Sequence, residues 1–343
     1  MLNCVKWARQ HTNMLFCPLI KSGEYNMKKE GFWFLIAAVW LIIFISLGAI
    51  IAGSRGKENN KQTDKNQDSE SQVALDKNAL KDSEEEMKNL NPEGMTLETR
   101  FLTPDGYTRV EAEAGSLAEF LRSYELKEDG SPVLLYDGRK KGNQNAHAAV
   151  FRLPIEEEDL QQCADSVMRV YAEYFYYTGQ TEKIAFHFTN GFLAKYEKWR
   201  EGNRIKIDGN DAYWVKTNSY DDSYETFRSY LRMVFAYAGT QSMVDESEEI
   251  SLSEIEVGDV FLKGGSPGHV VMVVDVCQKG DGKAFLLAQG HMPAQEFHVL
   301  KNPEHKEDPW YYEEEIAYPF HTLEYTFEEG SLRRLTYFRE GQR

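Results

Sequence analysis

Cys163 sits in Gln161-Gln162-Cys163-Ala164-Asp165-Ser166, His269 opens Gly268-His269-Val270-Val271-Met272-Val273-Val274, and Gln289 closes Leu286-Leu287-Ala288-Gln289. A thiol, an imidazole and a side-chain amide are the types that nucleophilic chemistry on a carbonyl carbon requires. The thiol must become a thiolate, a neighbouring imidazole must take its proton, and a third hydrogen-bonding group must hold the imidazole. Each residue also has a plainer reading. Cys163 shares a stripe with Leu160, Val167 and Val170 and would then be a small buried thiol. His269 would cap the turn Gly264-Gly265-Ser266-Pro267-Gly268, and Gln289 would be a satisfied amide at a strand end.

The elements that must position these residues follow from periodicity. Apolar residues at Leu160, Cys163, Val167, Val170, Tyr171 and Tyr174 predict a helix over 155–177, with Glu156, Glu157 and Glu158 in its first turn. That start puts Cys163 in the third turn, where the macrodipole helps a thiolate little and nearby acids raise its pKa; only a break around Leu160 to Gln162 would put it at a helix start. Strands are expected at 147–153, 183–188 and 211–215, and helices at 190–201 and from Asp221 or Asp222 to Gly239. Beyond Gly239 the pattern becomes β: 259–262, 268–276, 283–289 and 296–300 are short runs separated by Gly-rich turns, as in an antiparallel meander. Helices followed by a small antiparallel sheet indicate an α+β fold.

A cysteine on a helix, then a histidine opening a strand, then a polar residue ending the next strand resembles the papain-like amidases and peptidases of bacterial cell-wall turnover, the NlpC-type and CHAP-type enzymes. The resemblance implies a papain-like fold, with Cys163 as nucleophile, His269 as base and Gln289 as the group that orients the imidazole, acting on amide bonds of cell-wall peptides. The alternative is a non-catalytic envelope domain that binds a peptide or glycan in the same cleft. A second resemblance covers more of the chain. From about Thr99 onward, Gln162-Cys163-Ala164-Asp165, Tyr237-Ala238-Gly239-Thr240, Gly258-Asp259-Val260-Phe261, Gly268-His269, Leu286-Leu287-Ala288-Gln289, Pro293-Ala294-Gln295 and Val299-Leu300-Lys301-Asn302-Pro303 look like member 4846 of the bacterial domain-of-unknown-function series. It implies surface attachment or secretion and no established activity.

Cys277 offers a rival role for the thiol, since a Cys163–Cys277 disulfide would exclude a Cys163–His269 dyad. His269 and Cys277 lie eight positions apart on one strand, roughly 26 Å, whereas a disulfide holds its Cα atoms within about 7 Å. Other chemistries find less support. His147, His187, His291, His298, His305 and His321 lack metal-ligand spacing, so no metal or other cofactor is expected. Trp199, Trp214, Trp310, Tyr311 and Tyr312 could stack on sugars but at this density read as core. A net charge of -16 with no basic stripe argues against nucleic acid.

The strongest signal outside the candidate site is the run Phe32 to Gly53, apolar or Gly except at Ser46, about 22 residues and long enough to span a bilayer. Residues 1–31 would lie in the cytoplasm, and Met27-Lys28-Lys29 before the run has the layout of a signal anchor, so that a start at Met27 would supply a complete signal. Ile51-Ala52-Gly53-Ser54 resembles a lipoprotein signal, but Ser54 cannot form the thioether, which favours an uncleaved anchor over a cleaved, secreted form. Residues 54–92, rich in Lys, Asn, Asp, Glu and Ser, read as a disordered acidic stalk, and 93–343 as a single extracytoplasmic domain. An impermeant amine reagent applied to intact cells should therefore label residues beyond the run and spare those before Phe32. Labelling confined to the N-terminal side would reverse the topology.

Overall fold

Val270 to Val276 is apolar at every position except Asp275, and Ala284 to Ala288 throughout. Strands of that kind must be covered on both faces. The computed structural model describes residues 88–337; the apolar run at 32–53 and most of the polar segment after it lie outside the described residues. Among the described residues no helix is long and apolar enough to cross a membrane.

In chain order the described residues form α1 (Leu97–Arg100), β1 (Thr108–Arg109), α2 (Leu117–Arg122), β2 (His147–Val150), α3 (Cys163–Tyr177), β3 (Ala185–His187), β4 (Leu193–Lys195), α4 (Tyr196–Arg200), β5 (Asn203–Asp208), β6 (Asp211–Lys216), α5 (Tyr224–Tyr237), α6 (Thr240–Asp245), β7 (Ser247–Glu249), β8 (Val260–Lys263), β9 (His269–Lys279), β10 (Gly282–Gln289), β11 (His298–Leu300), β12 (Tyr311–Tyr312), β13 (Phe320–His321), β14 (Thr326–Phe327) and β15 (Leu332–Leu335). The fold is α+β. A nine-stranded sheet runs β2-β11-β10-β9-β8-β15-β7, with β1 added to β9 and β12 to β10. The expected meander β8-β9-β10-β11 is its centre, antiparallel throughout. The sheet is not small, however, and it does not simply follow the helices, because β1 and β2 join it from the chain before α3.

Alternation along β9 sends Val270, Met272 and Val274 to one face, where they pack with Val167, Val170 and Tyr171 of α3 and Leu231 of α5. Val271 and Val273 go to the other, against Phe285, Phe320, Phe327 and Leu332. The second face is thus covered by the last part of the described chain, which explains why β9 and β10 are buried on both sides. Asp275 interrupts the run without cost to the core, since Arg109 and Arg122 reach it at 2.7 and 2.8 Å.

Two elements depart furthest from their expected bounds, each for a physical reason. α3 begins at Cys163, not at Ile155. The three glutamates that read as a first turn do not serve as one, because Glu156 is drawn onto Arg169 at 3.0 Å and onto Arg228 and Arg232 of α5 at 2.8 and 3.1 Å. Gln162 becomes the N-cap, its N–H donating to Asp165 Oδ2 at 3.0 Å. The helix expected at 190–201 splits: 193–195 pairs as β4 with β3, and only Tyr196–Arg200 is helical. Asn190-Gly191, with Gly191 at φ +83°, is a hairpin turn that the apolar spacing of Phe192, Tyr196 and Trp199 masks.

Gly290, just past β10, brings that strand's end against the first turn of α3. A Cβ there would lie 2.2 Å from Ser166 Oγ and 2.9 Å from the Gln162 carbonyl oxygen. Gly290→Ala should destabilise the fold by about 1–3 kcal/mol in denaturant titration, and Ser166→Gly should recover part of the loss. An unchanged midpoint for the single variant would mean that this approach is not tight.

Candidate active site

The start of β9, the end of β10 and the first turn of α3 meet at one rim of the sheet. Cys163 is the first residue of α3, which places its sulfur where helix N–H groups are unpaired and the macrodipole is positive. The N–H groups of Ala164, Val270 and Cys163 itself face the sulfur and favour the thiolate. Val270 is the residue that follows His269 on β9. His269 and Gln289, diagonal neighbours on β9 and β10, are joined directly, Nε2 to Oε1 at 2.7 Å. The structure therefore gathers all three candidate residues at this rim, while the only hydrogen bond among them is between the last two.

The thiol and the imidazole come to the rim from opposite faces. α3 packs on the Val270 side, whereas His269 shares the side of Val271 with Phe327 and with Tyr325, whose ring centroid lies 4.7 Å from the imidazole. His291 covers it from another direction at 4.6 Å. His269 is 2 % exposed and Gln289 fully buried; Cys163 is partly exposed. With Nε2 taken by Gln289, Nδ1 is the nitrogen left for a proton.

Burial dominates the electrostatics. It pushes the Cys163 thiol up to about 11, helped by the carboxyl of Asp165 two residues on, and draws the His269 imidazole down to about 4. The pair accordingly rests as neutral thiol and neutral imidazole, not as an ion pair. Cys277 is a free, buried thiol on β9, pushed up to about 12 by burial and by Asp275, and Cys163 is free as well.

Behind Gln289 lies a polar cluster that residue types and spacing did not reveal. Gln289 Nε2 donates to Glu324 Oε2 at 2.7 Å, and Lys141 Nζ also donates to that carboxylate. Lys141 Nζ lies 3.4 Å from His298 Nε2, while His298 Nδ1 donates to the Glu296 carbonyl oxygen at 2.8 Å. Burial lowers His298 to about 4 and opposes the charge on Glu324, which the Lys141 ammonium beside it holds down to about 2. No signal in the sequence marks these residues, which come from three distant segments. The remaining histidines serve local contacts, His147 with the Ser131 carbonyl, His187 with Glu246 and His305 with Glu315. Trp199, Trp310 and Tyr311 are core. Among the described residues no His, Cys, Asp and Glu group has the arrangement of a metal site.

These groups give stability a defined pH dependence. His269 and His298 titrate at about 4 when folded against 6.5 unfolded, so the unfolded chain binds more protons in that window and stability falls as pH drops from 6.5. Glu324, about 2 folded against 4.5, adds a further loss as pH falls below 4.5. Urea titrations should show a decline of up to about 1.4 kcal/mol per pH unit for each imidazole. A flat profile between pH 6.5 and 4.5 would contradict the burial of neutral rings.

The profile of the family described as Domain of unknown function (4846) matches residues 97–334. No curated protein and no solved structure matches the chain.

Proposed function

We propose that this chain, which belongs to the domain-of-unknown-function family 4846, is a papain-type cysteine hydrolase of amide bonds, with Cys163 as nucleophile, His269 as base and Gln289 as the group that orients the imidazole. The observation that carries the reading is the placement of Cys163 at the first position of α3, at the same rim of the sheet as an imidazole whose Nε2 is tied to Gln289 at 2.7 Å.

The resting charges dictate the order of events. Because thiol and imidazole are both neutral, the proton passes from sulfur to His269 Nδ1 as the sulfur attacks the carbonyl carbon. That transfer requires the two side chains to approach each other around the end of β9. Negative charge developing on the carbonyl oxygen is stabilised by the helix N-terminus. The imidazolium then gives its proton to the leaving amine, which leaves a thioester on Cys163. Water, deprotonated by the same nitrogen, hydrolyses the thioester and restores the thiol.

For the substrate we propose peptides of the bacterial envelope. The support is the order of residues shared with cell-wall hydrolases and the anchor-and-stalk layout, which would hold the domain on the outer side of the membrane, close to that material.

Cys163→Ser should abolish hydrolysis of short envelope-type peptides and leave thermal denaturation within a few degrees of wild type. In wild type, kcat/KM should rise with pH through about 4, because His269 must lose its proton to act as base. If Cys163→Ser is instead destabilised by about 1–3 kcal/mol and no hydrolysis is found in wild type, the thiol is structural and the same cleft remains as a peptide- or glycan-binding surface.

A further inference from the structure

Glu324 stands 35 residues beyond Gln289 and meets it through a contact that leaves no freedom of assignment. A carboxylate only accepts hydrogen bonds, so the atom of the Gln289 amide that faces Glu324 at 2.7 Å must be the NH2 group. The amide oxygen therefore faces His269, and it too only accepts. The ring nitrogen 2.7 Å away must then carry a hydrogen. His269 is thus held as the Nε2–H tautomer, and its Nδ1 lone pair is left bare.

The other side of Glu324 is equally determined. His298 Nδ1 donates to the Glu296 carbonyl oxygen, so its Nε2 is an acceptor and the group 3.4 Å from it, Lys141 Nζ, donates. The same ammonium donates to Glu324, and Asn143 Nδ2 donates to the second carboxylate oxygen at 3.3 Å. Every group around Glu324 is a donor or an imidazole that accepts from a shared donor, an arrangement that suits a carboxylate and not a neutral acid. Without it the Gln289 amide would lose its charged acceptor and keep only His298 Nε2, at 3.5 Å, on that side; the flipped orientation, which presents a donor to His269 Nε2 and moves the ring proton to Nδ1, would become accessible.

We infer that Glu324, kept as a carboxylate by Lys141, is a positioning residue that fixes the orientation of the Gln289 amide and through it the base-competent tautomer of His269. The consequence for turnover rests on the hydrolase reading above; the tautomer itself does not. The role belongs to the turn between β13 and β14, whose next residue, Tyr325, covers the imidazole with its ring.

The experiment reads the tautomer by nitrogen-15 NMR of the histidine rings in the folded domain, with His269→Gln to assign the signal. Wild type should show His269 protonated at Nε2. Glu324→Gln offers a donor as readily as an acceptor and should shift His269 substantially toward the Nδ1–H form. Turnover of a peptide amide should fall about tenfold to a hundredfold in kcat, with KM changed by no more than about twofold. The exchanged pair Gln289→Glu with Glu324→Gln keeps the net charge and puts a carboxylate directly on His269, so it should restore the Nε2–H form even where the single variant folds poorly. A Glu324→Gln protein that is folded and keeps the Nε2–H tautomer would overturn the inference, as would an exchanged pair that loses it. Should the tautomer respond as stated while wild type hydrolyses no amide, the positioning role stands and the hydrolase reading falls. An active wild type whose tautomer ignores Glu324 would leave the hydrolase reading in place and remove the positioning role.

Discussion

The position of the candidate nucleophile depends on one buried arginine and the carboxylates it holds. Arg169 is fully buried on α3 and holds Glu173 at 2.6 Å and Glu156 at 3.0 Å, and it also donates to the Gln161 side-chain oxygen at 3.3 Å and the Tyr224 hydroxyl at 3.0 Å. Such a guanidinium cannot remain in the core alone, and removing its partners would leave an uncompensated charge. By drawing Glu156 inward it prevents residues 155–162 from winding onto the front of the helix. The first free turn then falls at Cys163. A network with no direct contact to the thiol sets which residue meets the end of the sheet, and Arg228 and Arg232, which share Glu156, tie the same point to α5.

The sheet explains why the site lies at a rim. β9 and β10 are buried on both faces, so neither face offers room for a cleft, and a helix on one side reaches groups on the other only around the strand ends. Gly290 lets the end of β10 touch α3, and Gly268, with Thr240 Oγ1 only 2.3 Å from where a Cβ would be, lets the turn before β9 fold close to α6. Glycine at these two positions reflects close approach, not backbone strain.

Much of this was legible in the sequence. The β8 to β11 meander followed from short apolar runs and Gly-rich turns and α5 from its apolar spacing, while residue types drew attention to Cys163, His269 and Gln289, of which the last two are hydrogen-bonded. What was hidden falls into two kinds. The start of α3 and the β3–β4 hairpin were hidden because local patterns competed: three glutamates imitate a first turn, and an Asn190-Gly191 turn sits inside helical apolar spacing. Glu324, Lys141 and His298 were hidden for another reason. Nothing local distinguishes a lysine that will meet a glutamate 183 residues away from one that points to solvent.

The turn that bears Glu324 and Tyr325 lies almost at the end of the domain, whereas Cys163 lies near the middle of the chain. Synthesis runs in one direction, and folding tends to follow it. The thiol, its helix and the strands that carry His269 and Gln289 are therefore complete before Glu324 and Tyr325 have been made. During that interval a chain broken off before the last hairpin would hold the sulfur and the ring but neither the Glu324 carboxylate nor the aromatic cover of Tyr325. The residues packed around the His269–Gln289 pair arrive last, together with the segment that closes the second face of the sheet.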